Sequence, residues 1–189
     1  RADAAEKIVA ADLSQEACTV ARDELGIVNA ATTDIAASVR GSDLVILCVP
    51  VGALASVTET IRPALETGAI VTDTGSVKHA AIEAIAPHLP DHAHFVPGHP
   101  VAGTEQSGPR AGFAELFEGR WWLMTPLSAT DPQILARLSA LWESFGARVE
   151  CMRPDHHDLA LAITSHLPHL IAYTAVGTAA ELEEDTRDD

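Results

Sequence analysis

Asp43-Leu44-Val45-Ile46-Leu47-Cys48-Val49-Pro50 is the most apolar stretch of this chain, and it decides the fold class. A continuous apolar run without alternation is typical of a parallel strand that is covered on both faces. Similar runs lie on either side of it, at Lys7–Asp12 and Ala69–Asp73, and stretches with helical spacing separate them. Because strands alternate with helices, we predict an α/β fold with a doubly wound, mostly parallel sheet and helices on both faces.

The pattern changes after Pro154, where Asp155–Ala180 reads as one long helical stretch. We therefore predict two domains, a sheet domain over residues 1–153 and the start of an all-helical domain over 154–189. The chain opens with Arg1 rather than methionine and ends in a polar helical stretch. For this reason we expect it to be a fragment of a longer protein.

Composition narrows the functional classes. The 189 residues carry 12 basic and 27 acidic side chains, a net charge of −15, and so acidic a surface disfavours binding to a nucleic-acid backbone. No apolar run approaches the roughly 20 residues of a membrane span, so we expect no membrane partner. The three cysteines, Cys18, Cys48 and Cys151, are far apart and odd in number, which favours a reducing cytoplasm.

Two segments lie where a doubly wound sheet binds its ligand, at the carboxyl ends of strands. Asp12 ends the first strand, where an acid can accept hydrogen bonds from the ribose hydroxyls of a dinucleotide. The alternative for Asp12 is an ordinary turn aspartate. Val49, Pro50 and Val51 close the most apolar strand and would border such a ligand, although a simple strand-ending turn has the same spacing.

The loop after the strand at Ala69–Asp73 carries three further candidates. Gly75 allows the backbone to approach a flat ring closely, and Ser76 can serve as both a helix N-cap and a hydrogen-bond donor. We expect Lys78 to be a solvated surface charge.

His99 is the candidate for proton transfer. It directly follows a strand-like run and is held between Gly98 and Pro100, at the start of a long glycine-rich loop. Histidine is the side chain whose ordinary pKa suits proton transfer near neutrality. We therefore predict a catalytic function for His99.

Two more histidines, His166 and His169, lie one helical turn apart in the long helix. Leu159 and Tyr173 share their face, so we expect both rings to face packing or a cleft. We expect Pro168 to loosen or kink the helix. A pair of core histidines has the same pattern. A metal site is a third interpretation, and it would use the following side chains: Asp155, His156, His157, Asp158, His166 and His169.

Together these segments resemble the prephenate and arogenate dehydrogenases of tyrosine biosynthesis. Four motifs carry the resemblance, and they occur in the family's order: Leu47-Cys48-Val49-Pro50-Val51, Asp73-Thr74-Gly75-Ser76-Val77-Lys78, Gly98-His99-Pro100-Val101-Ala102-Gly103-Thr104-Glu105 and Ser165-His166-Leu167-Pro168-His169. The resemblance covers about Lys7–Glu184. The family's glycine-rich first turn would lie before Arg1, and most of its dimerisation domain, with the arginine for the substrate carboxylate, after Asp189.

The resemblance implies a Rossmann-type sheet followed by a helical dimerisation domain. It also implies the NAD(P)-dependent oxidative decarboxylation of prephenate to 4-hydroxyphenylpyruvate, of arogenate to tyrosine, or of both. His99 would accept the proton of the ring hydroxyl. Ser76 would hydrogen-bond that hydroxyl or His99. The aromatisation of the ring and the release of carbon dioxide drive such a reaction, so the protein's task is orientation and proton removal.

The same resemblance implies two sets of binding residues and a homodimer. The substrate would be bound by His166, His169, Glu105 and Thr104. The cofactor would be bound by Asp12, Val49, Pro50, Val51, Gly75 and Ser76. The carboxylate of Asp12 favours NAD over NADP, because it would repel a 2′-phosphate. Two other hypotheses remain: a metal-dependent hydrolase built on the cluster His156, His157, His166 and His169, and a regulatory domain that binds NAD without turnover.

Overall fold

A computed structural model describes residues 4–103 and 106–186 of the chain. Eight strands are formed: β1 Val9–Ala11, β2 Ala30–Thr32, β3 Leu44–Leu47, β4 Ile70–Asp73, β5 His94–Phe95, β6 Gly98–Pro100, β7 Trp121–Met124 and β8 Arg148–Cys151. Seven α-helices accompany them: α1 Gln15–Thr19, α2 Ile35–Ser38, α3 Leu54–Ile61, α4 Lys78–Ile85, α5 Pro132–Ser144, α6 Pro154–Leu161 and α7 Leu167–Thr186. Wide π-helical turns extend α1 over Val20–Glu24 and join α6 to α7 over Ala162–His166. These counts refer to the described residues.

The strands form a mostly parallel α/β arrangement, which confirms the predicted fold class. β1 pairs with β2, β4 pairs with both β3 and β5, and β7 pairs with β8, all in parallel. The pairing of β6 with β7 is antiparallel, which the sequence did not predict. In the described part of the connection between these two strands there is no α-helix, so the chain returns beside β6 as β7 without a helical crossover.

A groove of about 420 Å³ separates β1 from β3. Among the described residues no strand lies between them, and the two strands belong to separate hydrogen-bonded groups. The exposure of β3 reflects this position. Val45 and Leu47 are buried, whereas Ile46 is 40% exposed and lines the groove. The expectation that this apolar run is covered on both faces is therefore wrong. β4 is the strand whose residues are all buried.

Two apolar clusters cover the opposite faces of the sheet, and neighbouring residues of β4 point into different ones. Val71 lies in the first cluster with Val45, Leu47, Leu54, Ile61, Ala81 and Ile85. Ile70 lies in the second with Val96, Trp122, Met124, Leu138 and Trp142. The rings of Trp122 and Trp142 stack with their centroids 3.6 Å apart. This alternation along β4 places Asp73, its last residue, at the carboxyl end of a strand that is rigid on both sides.

α6, the π-helical turn and α7 form one long helix, which confirms the predicted helical stretch. Most of its side chains are exposed, including several large apolar ones. By length and composition, Pro154–Leu182 is long and apolar enough to cross a membrane. Only 6% of its most apolar 18-residue stretch is buried. The sequence has no continuous apolar run here, because histidine, threonine and glycine are scattered among the apolar residues. An exposed apolar surface of this size marks an interaction site.

Candidate active site

The side chain of Asp73 joins the β4–α4 loop to β6 through hydrogen bonds. Its side chain is fully buried, and it accepts hydrogen bonds from the backbone N–H groups of Gly75 at 2.9 Å and Gly98 at 3.2 Å. A Cβ atom on Gly75 would lie 2.9 Å from Asp73 Oδ2 and 3.4 Å from a methyl group of Val51. The Cβ side of Gly75 therefore faces the protein itself, and the approach of its backbone to a flat ring stays a prediction. The contact with Val51 brings the loop after β3 against the loop after β4.

Lys78 is fully buried, so the expectation of a solvated charge is wrong. Its ammonium donates hydrogen bonds of 2.5 Å to Asp73 Oδ2 and to the carbonyl oxygen of Gly98. Burial lowers the pKa of Lys78, and the adjacent carboxylate of Asp73 opposes that shift. A buried charge is tolerated only when it is paired and hydrogen-bonded, which this geometry provides. Lys78 thereby fixes the backbone directly before His99.

His99 lies in the middle of β6, opposite Leu123 of β7, and is only 8% exposed. Burial lowers the pKa of His99 to about 4, and repulsion from His157, Lys78 and His166 adds to the effect. The imidazole is therefore neutral at physiological pH, and a neutral imidazole is what a proton acceptor requires.

A second buried histidine contacts the first. His99 Nδ1 lies 2.9 Å from Nε2 of His157, and His157 Nδ1 lies 2.8 Å from Oδ1 of Asp158. His157 is fully buried, and burial lowers its pKa, although Asp158 opposes the shift. The sequence suggested His157 and Asp158 only as possible metal ligands. Their contact with His99 spans 58 residues, and no local spacing signals such a contact.

Asp158 also caps α4 from outside that helix. Its two carboxylate oxygens accept hydrogen bonds from the backbone N–H groups of Lys78 at 2.7 Å and His79 at 2.9 Å. Burial alone would raise the pKa of Asp158, but these donors and the ring of His157 outweigh it and the net shift is downward. Asp158 is therefore ionised at neutral pH. An anion at a helix N-terminus is favourable because the free N–H groups point towards it.

Ser76 does not cap α4 as predicted, because Val77 is the N-cap residue and contributes no side-chain hydrogen bond. Asp158 provides that interaction instead. Ser76 is exposed in the loop between Asp73 and Lys78. Within the described residues its hydroxyl makes no hydrogen bond to His99. The other predicted contact, to the substrate hydroxyl, stays a prediction.

The proposed cofactor residues at the groove are brought together in part. Asp12, Val49 and Pro50 line the same groove, at the carboxyl ends of β1 and β3. Asp12 is exposed, and its Oδ1 accepts a 2.8 Å hydrogen bond from the N–H of Ser14. The turn function of Asp12 is thus present, and its second carboxylate oxygen is available to a ribose hydroxyl.

The predicted substrate residues are placed unequally. His166 is half-buried in the π-helical turn, and its repulsion contributes to the low pKa of His99. His169 is exposed, as are Leu159 at 63% and Tyr173 at 78%, so the expectation that this face avoids solvent is wrong for the described residues. The loosening predicted at Pro168 takes the form of the π-helical turn, which ends two residues before the proline, at His166.

Thr104 and Glu105, the remaining predicted substrate residues, lie outside the described residues.

The hypothesis of a metal hydrolase requires its side chains to converge on one point, and they do not. His157 is buried against His99, Asp155 pairs with Arg153, and His156 and His169 are exposed. In the part of the chain that the structure describes, no group of three potential ligands is close enough to hold a metal ion. The geometry therefore gives this alternative no support.

A mostly parallel α/β sheet binds its ligand at the carboxyl ends of its strands, and a buried, neutral histidine such as His99 can accept a proton. This combination fits a nucleotide-dependent oxidoreductase. The chain belongs to the prephenate dehydrogenase family, as the four motifs predicted. The family's nucleotide-binding domain matches residues 1–151, and its dimerization domain matches residues 153–189.

Two curated relatives share substantial identity with the chain. Cyclohexadienyl dehydrogenase from Zymomonas mobilis is 47% identical over 156 residues, which are 82% of this chain and 53% of that protein. Prephenate dehydrogenase from Bacillus subtilis is 31% identical over 171 residues, which are 90% of this chain and 46% of that protein. The chain therefore spans about half the length of the curated relatives it matches.

Solved structures agree with this assignment. Prephenate dehydrogenase from A. aeolicus, in complex with hydroxyphenyl propionate and NAD+, is 36% identical with a TM-score of 0.83, covering 91% of this chain and 59% of that one. Arogenate dehydrogenase from Synechocystis is 30% identical with a TM-score of 0.81, covering 92% of this chain and 61% of that one.

Proposed function

We propose that the full-length protein catalyses the NAD-dependent oxidative decarboxylation of prephenate, arogenate or both. The observation that carries this proposal is the buried, neutral imidazole of His99 beside the loop that holds Ser76. The identity with cyclohexadienyl dehydrogenase and the NAD+ complex of the A. aeolicus enzyme support it. We also propose the division into domains 1–153 and 154–189, which the ranges of the two family matches support.

The residues at the groove fit the adenosine half of NAD+. The exposed carboxylate of Asp12 can accept hydrogen bonds from ribose hydroxyls, and its charge would repel the 2′-phosphate of NADP. Val49 and Pro50 provide an apolar border on the opposite side of the groove. Val51 and Gly75 bring the neighbouring loop alongside. When bound, NAD+ supplies the acceptor for the hydride that leaves the ring carbon bearing the hydroxyl.

The chain's own residues hold and deprotonate the substrate. As the ring carbon loses its hydride, the hydroxyl oxygen gains positive charge, and His99 takes its proton. The bond from the ring to its carboxylate breaks and carbon dioxide leaves. The electrons of that bond pass through the ring to the oxygen, which takes the proton back from His99, and the ring becomes aromatic. The exposed hydroxyl of Ser76 donates to or accepts from the substrate hydroxyl. The proposed substrate-binding residues are His166, His169, Thr104 and Glu105.

The long helix supports a homodimer. Its exposed apolar residues lie within the stretch that matches the dimerization domain: Leu159, Ile163, Leu167, Leu170, Ile171, Tyr173 and Val176. A second copy that covers this face would bury the apolar surface without a membrane. The acidic composition and three free cysteines support an enzyme of the cytoplasm that does not bind nucleic acid.

Steady-state turnover by the full-length protein tests this function. Prephenate and arogenate are each offered with NAD+ and with NADP+, and the reduced cofactor and carbon dioxide are measured. We expect turnover of at least one substrate, with NAD+ preferred. NAD+ binding without turnover of either substrate would instead indicate a regulatory domain. Stoichiometric zinc or manganese in the purified protein would indicate the hydrolase.

A further inference from the structure

We propose that His157, held by Asp158, is a positioning residue that fixes the tautomer of His99, so that Nε2 of His99 is the atom that accepts the substrate proton. The proposal rests on the proposed function, because it specifies how the base of that reaction is prepared. It is carried by two contacts, the 2.9 Å approach of the two rings and the 2.8 Å bond from His157 to Asp158.

The hydrogen-bond arithmetic of these three side chains allows one arrangement. An ionised carboxylate can only accept, so the Nδ1 atom of His157 carries a proton and donates it to Asp158. In neutral His157 the Nε2 atom then has a lone pair and accepts. The Nδ1 atom of His99 must therefore carry the hydrogen that lies between the two rings. Neutral His99 is left with a free lone pair on Nε2, the geometry that a base needs.

The anchor of this chain of hydrogen bonds is rigid. Asp158 is fixed by two backbone N–H groups at the N-terminus of α4, 79 and 80 residues away in sequence. That helix begins directly after the loop that holds Ser76. One carboxylate thus orients both the ring that supports His99 and the helix behind Ser76. His157 and Asp158 lie in the stretch that matches the dimerization domain, whereas His99 and Ser76 lie in the nucleotide-binding match.

The charges around the two rings are compatible with two neutral histidines. Lys78 and His79 face the pair from α4, Asp73 from β4, Asp158 from α6 and His166 from the π-helical turn. Lys78 and Asp73 form an ion pair, so their charges largely cancel. The carboxylate of Asp158 is hydrogen-bonded to four groups: the backbone N–H of Lys78, the backbone N–H and ring of His79, and the ring of His157. Repulsion between two protonated rings whose facing nitrogens are 2.9 Å apart further disfavours the state in which both are charged.

A direct test reads the tautomers in full-length protein labelled with ¹⁵N-histidine. Nitrogen chemical shifts distinguish a protonated from an unprotonated ring nitrogen, and His99→Asn assigns the signal. We expect the Nδ1–H tautomer for His99 at neutral pH. In His157→Leu, which lacks the acceptor, we expect a substantial population of the Nε2–H tautomer. An Nε2–H tautomer of His99 in the wild-type protein would overturn the proposal, and this reading does not require the protein to turn over any substrate.

Kinetics provide the second measurement. We expect His157→Leu to lower kcat by about 100-fold or more, with little change in KM. A loss of this size is expected when a catalytic histidine adopts the wrong tautomer. His157→Gln, whose side-chain carbonyl can accept from His99 Nδ1, should recover most of the loss.

His156→Leu, at the exposed neighbouring position, is the matched control and should leave kcat unchanged. Equal loss in the Leu and Gln variants of His157 would show a merely structural contribution and overturn the proposal. If His157→Leu does not fold, the tautomer of His99 in the wild-type protein and the kcat of His157→Gln test the proposal. An Nδ1–H tautomer in a protein that turns over neither prephenate nor arogenate would refute the proposed function while the arrangement of the rings stands.

Discussion

Replacing Lys78 with methionine tests whether the buried network before His99 holds the site together. Methionine fills a similar volume but leaves the carboxylate of Asp73 buried without its charged partner. Removing one member of a buried ion pair costs about 3–5 kcal/mol. Asp73 keeps two backbone donors, the N–H groups of Gly75 and Gly98, which continue to stabilise its charge. We therefore expect a loss near the lower end, about 3 kcal/mol.

The free energy of unfolding of the full-length protein in urea measures this loss. Lys7→Met is the matched control, because Lys7 is exposed, and it should change the free energy by less than about 0.5 kcal/mol. The double variant Lys78→Met with Asp73→Asn removes both charges, so it should be less destabilised than the sum of the two single variants. A loss of under about 1 kcal/mol for Lys78→Met, or full additivity in the double variant, would refute the account of a buried coupled pair.

Three further predictions follow from the same geometry. The pKa of His99 is about 4 in the folded protein against an ordinary 6.5, so the unfolded chain binds the extra proton first and stability should fall as the pH drops from 6.5 to 4. Between pH 6.5 and 4, the free energy of unfolding of His99→Gln should fall by up to about 3 kcal/mol less than that of the wild-type protein. An identical pH dependence of stability in the two proteins would contradict the lowered pKa of His99. Gly75→Ala places a Cβ atom 2.9 Å from Asp73 Oδ2 and should lower the free energy of unfolding by about 1–3 kcal/mol. An unchanged free energy of unfolding would show that the loop relaxes freely. Asp12→Ser should raise the KM for NAD+ by about 10-fold and improve the use of NADP+, and an unchanged cofactor ratio would remove Asp12 from the ribose site.

The sequence predicted the fold where local patterns determine structure. The strand and helix alternation at Lys7–Asp12, Asp43–Pro50 and Ala69–Asp73 corresponds to β1, β3 and β4. It could not show that β3 borders a groove while β4 is the fully buried strand, because the covering of a strand depends on its neighbours in space. The antiparallel pairing of β6 was missed for the same reason.

In the candidate site, too, residues with a local sequence signal were predicted and residues placed by long-range contacts were not. His99 was predicted from its own loop, since a histidine held between glycine and proline after a strand is a local signal. Lys78, His157 and Asp158 were not assigned their contacts, because these contacts join segments that are 20 to 80 residues apart. A lysine at the first turn of a helix looks solvated until the burial of its aliphatic chain is known.

The measurement that tests the central claim most directly compares the wild-type full-length enzyme with His99→Asn, using the better of prephenate and arogenate together with NAD+. Single-turnover formation of NADH reports the chemical step, and equilibrium titration reports the affinity for NAD+. We predict that the variant loses about 10²- to 10⁴-fold in rate while the Kd for NAD+ changes by less than about threefold. A variant that forms NADH within about twofold of the wild-type rate would show that another group accepts the proton.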